Sequence, residues 1–441
     1  MDDIQSQPIF LIIVGISGDL ARRKLLPALR QIAAAGELPR EFRVIGITRR
    51  QLNVASLTAG DAFLAAHLEL YQMDLAEVAA YDGLKRHLAQ LEQQLGGAAQ
   101  RLYYLSVPPQ VSGPIVQLLG ESGLAAMPDS KLLLEKPFGT DLASAEDFIA
   151  HTQRHFTEDQ IYRIDHYLAK EMAQNLLVFR GGNALFRRTW NHEFIERIEL
   201  LASEEIGIEG RSAFYEQTGA LRDLVQSHLL QLAALTLMEV PPAGDETQLR
   251  AARLAALQAL QPPVDSTRDV RRGQYIGYRA EVANPASATE TFVSLTLRSH
   301  DPRWQGVPIT LTTGKGLARK TTEIRIHYRQ SEADEANELV LRVQPREGIE
   351  LDLWAKRPGY DHRLERVPLE FAYSRHFDSL PEAYERVLVD AMRSRRSLFA
   401  SSEEVLASWR ILAPVQRAWG MSDKDLILYP LGSEPAAVIG R

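Results

Sequence analysis

The 441-residue chain contains no cysteine. That absence excludes disulfides, thiolate metal ligands and cysteine nucleophiles outright, and it fits a reducing compartment. No apolar run reaches membrane length. The opening Met1-Asp2-Asp3-Ile4 is acidic and lacks the positive region and cleavage site of a secretory leader, so a cytoplasmic protein without membrane association is expected. Basic residues do not predominate: 50 Lys and Arg against 57 Asp and Glu leave a net charge of -7. A broad nucleic-acid footprint needs a basic face to displace counterions, and this balance argues against one; a small anion held by a few Lys, Arg or helix N-termini is compatible with it. Internal repeats are also missing. The composition that remains, 45% hydrophobic and 24% charged, is that of an ordinary globular protein. The chain is longer than a single hydrophobic core usually supports, which predicts two domains, or one domain with a large second layer.

The first half alternates strand and helix. Residues 9–14 form an apolar run ending at Gly15, a helical pattern follows to about Ala35, and Arg43–Ile47 is a second strand. Further strands at Leu102–Val107 and Lys131–Glu135 between helical segments predict a parallel, doubly wound sheet. Beyond about residue 190 the pattern becomes polar/apolar alternation, at 195–201, 292–297, 323–328, 338–343 and 349–353, as expected of antiparallel strands with one covered face. Helical patterns return at 381–393 and 403–418 and are assigned to the second domain, and the polar 261–290 region reads as loop. The fold class is thus an α/β Rossmann dinucleotide-binding domain over 1–165, followed by an α+β domain over 166–441 with a large, mainly antiparallel sheet.

Between the first strand and helix lies Gly15-Ile16-Ser17-Gly18-Asp19-Leu20, where glycine lets backbone approach a pyrophosphate and helix N–H groups point at it. An NAD enzyme places a carboxylate about 20 residues beyond this turn for the ribose 2′-hydroxyl. Here the second strand ends in Thr48-Arg49-Arg50, which repels no 2′-phosphate and offers two guanidiniums to it, so NADP is favoured and NAD stays open. In the second half, a helix over 165–180 would put His166 and Lys170 on one face and turn Asp165 away by roughly 100°. A second helix, around Arg222 to Met238, carries His228 on an apolar stripe. A histidine so placed is ordinarily core; a carboxylate on its imidazole would make it a base. His151 and His155 have i,i+4 spacing without the glutamate of a zinc-protease helix, and no metal is expected.

Several separated segments together resemble the glucose-6-phosphate dehydrogenase family: Gly15 to Lys24, Glu135-Lys136-Pro137-Phe138-Gly139, Arg163 to Glu171 with Gln174-Asn175-Leu176, Glu209-Gly210-Arg211, Leu221 to Asp223, His228 to Gln231, and Arg303 to Pro308. They occur in the family's order, and the similarity extends to Pro381–Arg386 and Trp409. Departures are Ser227 where the family usually has Asn, Gly181-Gly182 after Arg180, and Gly432-Ser433-Glu434-Pro435, which lacks the usual Trp.

The resemblance implies oxidation of C1 of glucose 6-phosphate to the 6-phosphogluconolactone with hydride transfer to NADP, the entry reaction of the pentose phosphate pathway. It implies His228 as base and Asp165 as its partner, with His166, Tyr167 and Lys170 on the substrate phosphate. Glu204, Asp223, Lys315 and Lys320 would be further substrate contacts, with Lys136 between sugar and cofactor and Pro137 at a cis-proline site. On the cofactor side the matching residues are Gly15, Ser17, Gly18, Asp19, Leu20, Lys24, Arg49, Asp74 and Tyr104. It further implies a homodimer or homotetramer. A related sugar phosphate or NAD as substrate, or a non-catalytic NADP-binding sensor on the same scaffold, are the competing readings.

Overall fold

The computed structural model describes residues 7–127, 129–242, 245–265, 268–330 and 336–440. They form two compact units, and neither is one continuous stretch of chain.

The first unit comprises residues to Gly139, Ala143–Ala169 and Pro381–Ser402. Its parallel strands are β1 (Ile9–Val14), β2 (Phe42–Thr48), β3 (Leu68–Gln72), β4 (Gln100–Leu105), β5 (Ser130–Leu134) and β6 (Ile161–Ile164). Their order in the sheet is 6-5-4-1-2-3, the doubly wound arrangement whose switch point lies between β1 and β4. All six residues of β1 are buried, which is why the strand reads as an unbroken apolar run. β3 lies at the sheet's edge, and Leu-Glu-Leu-Tyr-Gln, mostly half-buried, carries no such signature.

The segment expected among the second domain's helices belongs instead to this unit. Helix Ala383–Met392 packs on α1 (Leu26–Ala34), and Ala383, Val387, Leu388 and Ala391, spaced along one face, share a core with Leu25, Leu29 and Ile32. Lys131 of β5 secures the end of that helix: its Nζ donates to the Ala391 carbonyl at 2.5 Å and to Ser394 Oγ at 2.7 Å. The short strand Phe399–Ala400 then pairs antiparallel with β6 and covers that edge of the sheet.

The second unit comprises Thr140–Leu142, Lys170–Leu380 and the chain from Glu403 onward. Its sheet runs, from one edge, Leu364–Ala372, Gly348–Lys356, Glu338–Gln344, Thr321–Tyr328, β7 (Ile195–Ser203), Ile309–Gly314, Phe292–Ser299, Val270–Tyr275 and Leu426–Tyr429. Pairing is antiparallel except between β7 and Ile309–Gly314 and between Val270–Tyr275 and the C-terminal strand. The 261–290 region is therefore not simply loop. Strand Val270–Tyr275 was concealed by its arginines, one of which, Arg272, is buried with its Nε donating to Asp425 at 2.9 Å. Ile309–Gly314 hides its burial in threonines, paired in the core as Ser294 with Thr312 at 2.9 Å. Among the described residues no helix is long and apolar enough to cross a membrane.

Candidate active site

At the switch point β1 ends in Gly15, with φ +89, where a Cβ would stand 2.5 Å from the Ser106 carbonyl beyond β4. Only glycine lets the two strand ends approach so closely. Gly18 N donates to the Gly15 carbonyl at 2.9 Å, closing the turn, and a Cβ on Gly18 would press on that carbonyl at 3.1 Å. The result is a bare backbone concavity opening a helical run, with Ile16 buried beneath it and Ser17 and Asp19 exposed. These residues fit a dinucleotide pyrophosphate. Asp19 pairs with Arg23 at 2.9 Å, and Lys24 with Glu382 at 3.4 Å, on the surface. Arg49 and Arg50 stand exposed at the end of β2. Beside them the Met73 amide donates to the Thr48 carbonyl, so Asp74 lies at the neighbouring strand end, where its carboxylate caps Ala76 N at 2.9 Å. Tyr104 is buried in the sheet, and its hydroxyl donates to Glu135 at 2.5 Å.

The carboxyl ends of β5 and β6 carry Lys136 and the run from Asp165. The Lys136–Pro137 peptide is cis, as expected. The expected helix over 165–180 begins only at Glu171; residues 166–169 are turn, and Lys170 is extended at φ -66, ψ 141. The cause is Asp165 itself, whose Oδ1 accepts from Tyr167 N at 3.0 Å while its carbonyl accepts from Leu168 N at 3.1 Å. A side chain that takes a nearby backbone amide competes with helix formation. The helical-face argument for His166 and Lys170 is thus replaced by a tight turn that presents His166 half-buried and Asp165 buried.

Next to this turn Glu135 accepts from Tyr104, and Tyr384 from the returning segment also hydrogen-bonds it. Burial pushes the Glu135 carboxyl up to about 7, against the opposing pull of those hydroxyls and of Lys136. The Tyr384 ring lies parallel to the His166 imidazole, 6.2 Å between centroids.

In the second unit, parallel strands β7 and Ile309–Gly314 end side by side at Glu204 and Lys315. Lys315 is buried, ion-paired to Glu204, and its Nζ lies 5.2 Å from the Tyr215 ring centroid. Lys320, in the same loop, is exposed. Across these two strands packs a wide π-helical turn, Leu221–Leu229, continued by helix Leu230–Leu237. It carries Asp223 half-buried and His228 buried. Burial holds the Tyr215 phenol well above its ordinary range, reinforced by Asp223, Glu290 and Glu204 around it. Sequence reasoning named Glu204, Asp223 and Lys315 but not Tyr215, Glu290, Glu135 or Tyr384. Of these, Glu135 and Tyr384 lay within motifs already recognised. Among the described residues no group of three or more metal-ligating side chains occurs.

Comparison with known proteins decides the family. The model of the glucose-6-phosphate dehydrogenase NAD binding domain matches residues 12–175, and that of the C-terminal domain matches residues 177–439. The chain belongs to the glucose-6-phosphate dehydrogenase family. It is 36% identical to the glucose-6-phosphate 1-dehydrogenase of Mycolicibacterium smegmatis, over 97% of this chain and 94% of the relative. To that of Chlamydia muridarum it is 35% identical, over 93% and 90%. A solved glucose-6-phosphate dehydrogenase in complex with its substrate glucose 6-phosphate superposes with a TM-score of 0.91 at 30% identity, covering 97% of this chain and 95% of the other. Gal80p of Saccharomyces cerevisiae, at 10% identity and a TM-score of 0.58, shares the fold. The glucose-6-phosphate dehydrogenase match bears out both the resemblance read from the motifs and the predicted succession of a Rossmann domain and a largely antiparallel α+β domain.

Proposed function

We propose that the protein is a glucose-6-phosphate 1-dehydrogenase that oxidises C1 of glucose 6-phosphate to 6-phosphogluconolactone, with NADP as hydride acceptor. The observation that carries this reading is the likeness, over nearly the whole chain, to a solved member bound to glucose 6-phosphate. Within it, the first unit, completed by Pro381–Ser402, serves the dinucleotide, and the second unit the sugar and assembly. The dinucleotide, when bound, supplies the electrophilic ring carbon that takes the hydride. Gly15, Ser17, Gly18, Asp19 and Leu20 cradle its pyrophosphate, while Lys24, Asp74 and Tyr104 complete the surroundings. Arg49, exposed at a strand end with no acidic neighbour at position 50, binds the 2′-phosphate and favours NADP over NAD.

His228 accepts the proton of the C1 hydroxyl as the hydride leaves, and Asp165 steadies the imidazolium so formed. His166, Tyr167 and Lys170 hold the phosphate, while Glu204, Asp223, Lys315 and Lys320 orient the sugar and Lys136 stands between sugar and nicotinamide. The Lys315–Glu204 pair supports this assignment: a cation taken out of water needs such a partner, and a sugar hydroxyl beside the pair meets both a donor and an acceptor. We assign the protein to the cytoplasm, which its cysteine-free composition fits, as a homodimer or homotetramer.

The test is an initial-rate comparison of NADP and NAD with glucose 6-phosphate and with other sugar phosphates. The expected result is turnover of glucose 6-phosphate with a higher kcat/KM for NADP. Folded protein that binds NADP yet turns over glucose 6-phosphate with neither cofactor would overturn the proposal in favour of a sensor, and a higher kcat/KM for another sugar phosphate would reassign the substrate.

A further inference from the structure

One dipeptide outside the residues assigned above reaches both arms of the second unit's site. Glu290, buried just before strand Phe292–Ser299, accepts from Ala220 N through its carbonyl at 2.9 Å and from Leu221 N through Oε1 at 3.0 Å. These amides open the helical run that carries Asp223 and His228, where the first N–H groups have no partner inside the helix. The chain enters through Gly219 at φ 64 and ψ 176, and a Cβ there would stand 2.4 Å from Glu290 Oε1. The carboxyl group therefore lies directly against bare backbone.

The next residue, Thr291, is fully buried, and its carbonyl accepts from Lys315 N at 2.9 Å. Its hydroxyl oxygen accepts from Tyr275 N at 2.9 Å and lies 2.8 Å from Tyr429 Oη. The Tyr429 hydroxyl donates to the Lys315 carbonyl at 2.7 Å, so the single Thr291 hydroxyl proton goes to Tyr429. Lys315 is held at both its N–H and its C=O, each time through Thr291 or the phenol that Thr291 supports.

We propose that Glu290 and Thr291 are positioning residues: Glu290 sets the start, and hence the register, of the His228 helix, while Thr291, with Tyr429, sets the backbone of Lys315. The inference rests on the function proposed above in so far as His228 is the base and Lys315 a substrate contact. Because the two residues are adjacent where the chain enters strand Phe292–Ser299, base and substrate lysine share one reference point. Misplacing the base lowers kcat, whereas loosening a ground-state contact raises KM.

Glu290→Ala, Glu290→Gln, Thr291→Val and Tyr429→Phe are compared with the parent chain by steady-state kinetics and by hydrogen exchange, without substrate, over peptides covering 220–229 and 313–320. Glu290→Ala is expected to lower kcat roughly ten- to a hundredfold with KM nearly constant, and to speed exchange over 220–223. Glu290→Gln keeps the acceptor oxygen and restores most of both. Thr291→Val and Tyr429→Phe raise KM for glucose 6-phosphate about fivefold or more at retained kcat, and speed exchange over 313–320. Tyr429→Phe removes a single oxygen and keeps the test open should Glu290→Ala not fold. Unchanged exchange in both segments, or equal effects of all four variants on kcat and KM, would overturn the inference. A parent chain inert toward glucose 6-phosphate would refute the function, and the exchange measurement would still decide this proposal: faster exchange upholds the anchor, unchanged exchange removes it.

Discussion

Replacing Glu135 by Gln separates the cost of a buried charge from the value of its hydrogen bonds. The amide keeps an acceptor for the Tyr104 hydroxyl and cannot ionise. In the folded chain the carboxyl is pushed up to about 7 from the ordinary 4.5, chiefly by burial. Between those values the folded state holds a proton that the unfolded state has lost, so stability falls as pH rises through the window and the loss is complete by about pH 8. At about 1.36 kcal/mol per pH unit the interval amounts to an upper bound of about 3 kcal/mol. Glu135→Gln is free of this penalty. It should gain on the parent chain progressively from about pH 5 to pH 8, by up to about 3 kcal/mol in the unfolding of the first unit. Urea unfolding followed by far-ultraviolet circular dichroism at several pH values measures the difference, and parallel stability curves would refute the argument. Because Tyr384 hydrogen-bonds Glu135 and lies along His166, the same variant reports whether that carboxyl's charge reaches the residue assigned to the phosphate: KM for glucose 6-phosphate should lose part of its pH dependence near neutrality.

Other perturbations give equally definite results. His228→Asn should lower kcat by about 10²–10⁴ while calorimetric substrate affinity stays near that of the parent chain, and retained turnover would remove the residue as base. Arg49→Ala should weaken NADP about tenfold or more and leave NAD unchanged; equal losses for both would place the guanidinium away from the 2′-phosphate. Arg253 and Glu404 form an almost fully buried ion pair, so Arg253→Met should cost about 3–5 kcal/mol in urea unfolding, and the further change Glu404→Leu should recover most of it. A double variant no more stable than the single one would show that the loss of Arg253 beside the buried Glu404 carboxylate is not the cause.

Much of the fold was legible because a buried parallel strand is apolar along its whole length, as β1 is. Where polar side chains go inside with partners, the pattern fails. Val270–Tyr275 buries Arg272 on Asp425, and Ile309–Gly314 buries threonines that bond across strands. Helix Ala383–Met392 was seen but placed in the wrong unit, since an amphipathic face does not state which core receives it. In the site, residues inside distinctive motifs could be named one by one. The geometry around Asp165 could not, because helical spacing ignores a side chain that captures its own neighbour's amide. Tyr215, Glu290 and Tyr429 escaped for a different reason: each acts through a partner distant along the chain, as Tyr429 does on Lys315, and nothing local marks them.

The returning segment Pro381–Ser402 also bears on how the chain is made. Arg396 reaches the Ile161 carbonyl across 235 residues, and Phe399–Ala400 covers β6 at a similar separation. At about 5–20 residues per second, a ribosome takes roughly 10–50 s to deliver the covering piece after β6 has emerged. During that interval the nascent nucleotide-binding sheet shows an unpaired edge and the apolar flank of α1, the surfaces on which chaperones act and neighbouring chains aggregate. The first-made half is thus finished among the last, and a product ending before Pro381 would carry that exposure permanently.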